Sequence, residues 1–333
     1  MKVTIKDVAK EAGVATSTVS RVLSNSDRIS DDTKERVNEA IKKLNYIPNA
    51  MARGLANNRT NILAVVVPQG AENLFENQFF IQAMKGISIY AEQRNYYIMY
   101  AFQEDNSTDE NWIRRFTDSK LVDGICLLRV SEHDKYVDYL KEIDFPFVII
   151  GRPEEADEVL WVDNDNFKAM YDLVNLLLDR GHKDIAFIGA QKSLNVSIDR
   201  LRGYEEALSS RGLKINNNLI YVGKEFNEKC GELAIETFMK KELPTAIVAT
   251  DDMIAFGVQN QLKKCNLEDI SVVGFNNVPL SVHRNPSLAS VDINSEKLGY
   301  YATKLLINKI IKEDISKNYY IIDTKLVERE SLK

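Results

Sequence analysis

Residues 4 to 23 place their apolar side chains on one side of two short helical repeats. Ile5, Val8, Ala9 and Ala12 recur at helical spacing. Thr4 stands where a cap is needed, and Asp7 three residues on completes a capping-box pattern. Gly13 ends that helix at a turn that a side chain would strain. A second short helix follows with Val19, Val22 and Leu23 inward, and with Thr16, Ser17, Ser20 and Arg21 outward. After a polar loop, Ser30 caps a third helix whose first turn holds Asp31 and Asp32. Its inner stripe is Val37, Ala40, Ile41 and Leu44, and Tyr46-Ile47-Pro48 stops it. Such an arrangement is the shape of a helix-turn-helix whose second helix enters the major groove and reads base edges. An ordinary helical hairpin packing on another element would show the same pattern. Residues 48–57 then offer Pro48, Asn49, Ala50, Ala52, Arg53 and Leu55 in a stretch too short to hold a helix alone. It reads either as a linker or as a segment that folds when bound.

From Ile62 the period changes. Apolar runs at 62–67, 97–100, 125–128, 147–150, 185–188, 246–249 and 272–275 alternate with amphipathic stretches. The latter lie near 79–94, 112–118, 136–143, 169–180, 201–211, 230–239, 255–264 and 298–311. Continuous apolar strands between helices predict parallel sheets covered on both faces. About 270 residues of this pattern exceed one ordinary doubly wound sheet, so two α/β lobes are expected. Ligands in such folds bind beyond the carboxyl ends of the strands. There the sequence places Phe79-Phe80, Arg152 in Gly-Arg-Pro, Asp163 to Asn166, Arg200, Phe226, Asp251-Asp252 and Asn276. Carboxylates, amides, an arginine and aromatic faces suit a polyhydroxylated ligand such as a sugar. Structural duties compete at each position. Asp252 and Asp163 stand where helix caps belong, and the phenylalanines where core belongs.

Composition changes this picture in one respect. The 333 residues are 28% charged and 44% apolar, with a net charge of −6. Residues 1–60 hold 11 Lys and Arg against 7 Asp and Glu (+4), leaving 32 against 42 (−10) in the remainder. A basic cap on an acidic body fits local DNA contact better than the total does. Cys126, Cys230 and Cys265 are far apart and in no metal spacing, so they read as reduced thiols. No apolar run approaches the ~20 residues that span a bilayer, and no signal peptide precedes the first helix. The expectation is a cytoplasmic protein with no membrane partner and no cofactor. Enzyme motifs are missing: no GxSxG, no GxxxxGK, no GxGxxG after a strand, and His133, His182 and His283 are scattered.

The segments 4–14, 18–23, 46–49 and 52–56 are similar to the lactose/galactose repressor family. So, in the expected order, are Val122-Asp-Gly124, Arg180-Gly-His182, Arg200-Leu-Arg-Gly203-Tyr, Asp252-Met-Ile-Ala255-Phe-Gly257 and Ser271-Val-Val-Gly274-Phe. Within that family, Ile150-Gly-Arg-Pro153, Val162-Asp-Asn-Asp-Asn166 and Phe275-Asn-Asn-Val-Pro279 resemble the maltose-operon repressors. The resemblance implies a homodimer with an all-α headpiece and hinge helix in residues 1–58. It implies an effector-binding and dimerisation core in 59–333, resembling periplasmic sugar-binding proteins. The first lobe would take about 60–160 plus 293–320, the second about 161–292 plus 321–333.

The same resemblance implies that double-stranded operator DNA, a pseudo-palindrome, meets Thr4, Thr16, Ser17, Thr18, Ser20, Arg21, Asn49, Arg53, Leu55 and Ala56. Of these, Thr16, Ser17 and Arg21 fall at base-reading positions, and Leu55 at the leucine that wedges into the minor groove. The effector, a sugar, would meet Phe80, Arg152, Asp163, Arg200, Phe226, Asp251 and Asn276. Two departures stand out: Ala15 replaces the usual capping serine, and Asn276 an often acidic residue. The chain shows no leucine heptads at its end, so a dimer is expected rather than a tetramer. A sugar closing the cleft would stop the hinges folding together, which needs a coupling of only a few kcal/mol. Alternatives are a catabolite-control regulator with a protein corepressor, a sugar-binding receptor without DNA function, and a sugar-active enzyme.

Overall fold

The computed structural model describes residues 3–23, 26–47, 59–67, 78–102, 111–128 and 134–333. The chain forms two compact units, residues 1–62 with 111–123 and residues 63–110 with 124–333. In the first, α1 (Ile5–Ala12), α2 (Thr16–Leu23) and α3 (Asp31–Lys43) follow the predicted order. The Asp7 carboxylate accepts from the Thr4 N–H at 2.8 Å and its hydroxyl at 2.7 Å. These bonds hold the Asp7 carboxyl below the usual range. Gly13 takes a left-handed φ of 65°, and the Val14 N–H closes the turn on the Ala9 carbonyl at 3.0 Å. Val8, Ala9, Val19, Val22, Val37 and Ala40 form the core, a small one for a unit that must stand alone. Ser30 sits at the start of α3 without capping it, because its hydroxyl meets that of Thr33 at 2.9 Å.

The expected division at residue 58 left 111–123 in the core, but compactness groups this segment, with α4 (here Asn111–Thr117), in the first unit. One carboxylate gives the reason. Asp123 accepts from the Thr60 N–H at 2.7 Å, the Asn61 N–H at 2.8 Å and the Thr60 hydroxyl at 2.9 Å.

The second unit carries two six-stranded sheets. The strands of the first are β1 (Ile62–Val67), β2 (Tyr97–Phe102), β3 (Gly124–Leu127), β4 (Phe147–Ile150), β5 (Leu160–Asp163) and β11 (Tyr319–Ile321). Their spatial order is β11-β5-β4-β3-β1-β2. The second holds β6 (Ile185–Ala190), β7 (Ile220–Gly223), β8 (Ala246–Ala249), β9 (Ser271–Phe275), β10 (Ala289–Asp292) and β12 (Lys325–Val327), ordered β12-β10-β9-β8-β6-β7. Strands β3, β4, β6, β8 and β9 are buried along their whole length, which is why they read as unbroken apolar runs. β3 pairs in parallel with β1 and β4, β5 with β4 and β11, β6 with β7 and β8, and β9 with β8 and β10, whereas β12 runs antiparallel to β10.

The chain passes between the sheets three times, at residues 163–166, 292–295 and 321–325. The expected start of the second lobe, at about 161, falls within β5. Trp161 pairs with Ile149 inside the first sheet, and the crossing follows Asp163. Helices α5 (Gln78–Gln93) and α11 (Ser295–Ile311) pack together on the first lobe. On the second, α7 (Asn166–Asp179) packs on α8 (Asn195–Ser210), and α9 (Glu228–Met239) on α10 (Asp252–Lys264). The remaining helix, α6 (Lys135–Glu142), follows β3. Gly203 sets the approach of α8 to α7: a Cβ there would lie 2.3 Å from the Phe167 carbonyl. That contact delivers Arg200, one turn earlier on α8, to the start of α7.

Candidate functional site

The outward face of α2 carries exposed Thr16, Ser17 and Arg21, with Thr18 and Ser20 half-buried at its flanks. Val19 and Val22 hold the opposite face in the core, which fixes which way the hydroxyls and the cation point. Ala15 has no polar side chain for the first turn, and only its carbonyl serves, accepting from Thr18 and Val19. Thr4 lies exposed at the start of α1. Asn49, Arg53, Leu55 and Ala56 lie outside the described residues.

In the second unit a cleft of about 800 Å³, open solvent included, lies at the two sheets' carboxyl ends. Phe80, Arg152, Asp163, Arg200, Phe226, Asp251 and Asn276 all line it. Phe79 and Phe80 meet edge to face at 5.3 Å at the start of α5. Phe80 is also part of the apolar core, so the core and cleft readings hold together. Phe226, half-buried, leads into α9, whose cap is Asn227.

The charged groups of the cleft are already engaged. Arg200 is 4% exposed; its Nε donates to Asn166 at 3.0 Å and its Nη1 to the Thr250 carbonyl at 2.5 Å, with the guanidinium 4.2 Å over the Phe275 ring. Burial pulls its pKa down to about 10, so it remains a cation at neutral pH. Asp163 accepts from the backbone of Arg152 at 2.9 Å and of Asn164 at 2.7 Å, and from the Asn166 amide at 3.0 Å. Burial still raises its pKa. The Arg152 guanidinium holds Asp199 across the cleft at 2.7 and 2.8 Å, and the Asn195 amide donates to the Arg152 carbonyl at 2.7 Å.

Asp251 takes the capping role expected of Asp252 while still lining the cleft. Asp251 caps α10 through the Met253 N–H at 2.7 Å and accepts from the Asn276 amide at 2.8 Å. Asp252, expected as the cap, turns away from the cleft into a nest of donors: Ser290 at 2.6 Å, the Val278 N–H at 2.8 Å and Ser281 at 2.9 Å. Burial pushes both carboxyls up to about 7, helped at Asp251 by the neighbouring charge of Asp252. Asp165, not Asp163, caps α7. His182 faces Thr245 at 3.1 Å in the turn leading to β6.

Sequence reasoning missed Asn195 and Asp199, and it held Asn164 only within the run from Asp163 to Asn166 after β5, with no role of its own. Among the described residues no His, Cys, Asp and Glu cluster could hold a metal ion, and no helix is long and apolar enough to cross a membrane.

Residues 4–49 match the bacterial regulatory proteins of the lacI family, and residues 174–332 match the periplasmic binding protein-like domain. The HTH-type transcriptional regulator MalR of Streptococcus pneumoniae is 40% identical over 314 residues, covering 93% of each chain. A solved transcriptional regulator CelR–cellobiose complex is 29% identical, with a TM-score of 0.77 over 99% of this chain and 100% of that one. The lac repressor dimer bound to operator shares the fold, with a TM-score of 0.83 at 22% identity over 99% of each chain. The relatives are regulators, not enzymes. This chain belongs to the lacI family: it is a DNA-binding transcriptional regulator whose core matches the periplasmic binding protein-like domain.

Proposed function

We propose that the chain is a homodimeric, cytoplasmic repressor of a maltose or maltodextrin utilisation operon. Two α2 helices read the half-sites of a pseudo-palindrome, with Thr16, Ser17 and Arg21 on base edges. Thr4, Thr18, Ser20, Asn49 and Arg53 steady the headpiece on the duplex, Leu55 wedges the minor groove at the centre, and Ala56 lies beside it. A sugar held in the cleft favours the lobe arrangement that releases DNA.

The observation that carries the sugar class is the lining of the cleft. Phe80 and Phe226 offer apolar ring faces, while Asn276 and Asp251 offer an amide and a carboxylate beside the buried Arg200. The Arg152 charge is matched by Asp199, which supports an uncharged ligand. The likeness of residues 150–153, 162–166 and 275–279 to the maltose-operon repressors supports maltose in particular. Exposed Ile81 and Tyr97 on the first lobe, and Leu280 and Val282 on the second, support a partner subunit.

Thermal stability of the purified protein across mono- and oligosaccharides tests the sugar. A ligand binding only the folded state adds about 2.7 kcal/mol at a hundredfold excess over Kd. A rise with maltose or maltodextrin, without one for lactose, galactose or ribose, is expected. A flat response to every sugar would sink the maltose assignment. Leu55→Ala binding and bending the operator like wild type would sink the wedge.

A further inference from the structure

We propose that Asn164 is the common pivot on which the two lobes turn, a positioning residue at the hinge. The assignment goes beyond the sugar reading and needs no knowledge of which sugar binds. Three strands of chain joining two bodies can flex separately unless something ties them. Asn164 lies on the first crossing, is 5% exposed, and its single carboxamide donates to the Ile293 carbonyl at 3.0 Å and the Ile322 carbonyl at 2.8 Å. Those two carbonyls belong to the second and third crossings. One side chain of the first crossing thus holds both of the others.

The chemistry suits asparagine and little else. Two backbone carbonyls need two donors from one short, uncharged group; a serine has one and an aspartate none. Supporting bonds lace the same region. The Ile322 N–H donates to the Asp163 carbonyl at 2.8 Å, and the Asn294 amide to the Asp323 carbonyl at 2.9 Å. With the crossings tied, sliding them apart breaks buried hydrogen bonds, whereas rotation about the carboxamide does not. The pivot also reaches the cleft. Arg200 bonds Asn166, Asn166 bonds Asp163, and Asp163 accepts the Asn164 backbone N–H. A ligand that reorients Arg200 therefore acts on the crossing that anchors the tie.

Hydrogen exchange followed by mass spectrometry on the ligand-free, 333-residue protein tests this with Asn164→Leu, which keeps the branched shape and removes both donors. The expected result is exchange at least tenfold faster at 163–166, 292–295 and 321–325 together, with amides of β6 and β8 unchanged. Acceleration near residue 164 alone, as lost local packing would give, overturns the pivot; so does none. If that variant does not fold, Asn294→Gly tolerates the left-handed φ of 53° and loses only the bond to Asp323. It should speed 292–295 and 321–325 while sparing 163–166, and unchanged rates at all three would overturn the lacing. A missing maltose response in the thermal assay would bear on the sugar and leave these rates as they are.

Discussion

The face of α2 and the floor of the cleft both gather polar side chains, yet they spend them differently. On α2, Thr16, Ser17 and Arg21 project into solvent from a helix held by two buried valines. In the cleft, Arg200, Asp163 and Asp251 are buried, and each is bonded to protein before any ligand arrives. Exposed groups stay within reach of a partner and cost the fold almost nothing. Buried ones must first be satisfied, so the fold depends on them and a ligand meets them already aligned.

That contrast is sharpest at its two arginines. Arg200→Leu should destabilise the protein by about 3 kcal/mol, since it strands the Asn166 and Thr250 acceptors in the interior. Urea denaturation would read this, and the same variant should lose its saccharide-induced thermal shift. If the variant kept wild-type stability, the buried side of the comparison would collapse. Arg21→Ala should instead leave the urea midpoint within about 0.5 kcal/mol of wild type. It should weaken operator binding by about 1–3 kcal/mol, roughly ten- to a hundredfold, with relaxed base preference in a binding titration. Unchanged base preference would remove Arg21 from the reading face.

A subtler effect comes from pH. The folded protein holds Asp252 protonated up to about 7, whereas the unfolded chain releases that proton near 3.8. Between those values the folded state binds more protons, so stability should fall as pH rises through that window. Asp252→Asn should flatten the decline in melting temperature between pH 5 and pH 8. An unaltered slope would mean that the three donors around Asp252 hold its charge without penalty. The smallest effect belongs to Asp199→Asn, which removes the charge facing a half-exposed Arg152. Stability should change by less than about 1 kcal/mol, while calorimetry should show altered saccharide affinity because the pair spans the cleft.

Legibility in the sequence followed the same divide. Residue spacing alone placed the headpiece helices and the fully buried strands, because a local period reports a local face. Short strands at or next to the sheet edges escaped it: β5, β7, β10, β11 and β12 are three or four residues long. The seven cleft residues came from their places after strands and from a family resemblance, and the structure gathers them around one cavity. Their bonding was not legible. Asp252 looked like a cap because the residue before a helix and the first residue within it differ by one position. Asn164 finds its acceptors 129 and 158 residues away, a distance at which no pattern in the chain announces a contact.

The three crossings also govern how the protein can be made. Neither lobe is continuous: the first sheet lacks β11 and the second lacks β12 until residues 319–327 exist. The β5 edge is complete at residue 163, 158 residues before β11 ends at 321. At roughly 5–20 residues per second, a ribosome leaves that edge unpaired for roughly ten to thirty seconds. Assembly of both lobes therefore waits on residues 319–327, and the growing chain carries an open, aromatic-lined strand meanwhile. Chaperone demand during translation, rather than stability afterwards, is where a weakened β5–β11 pairing would be felt first.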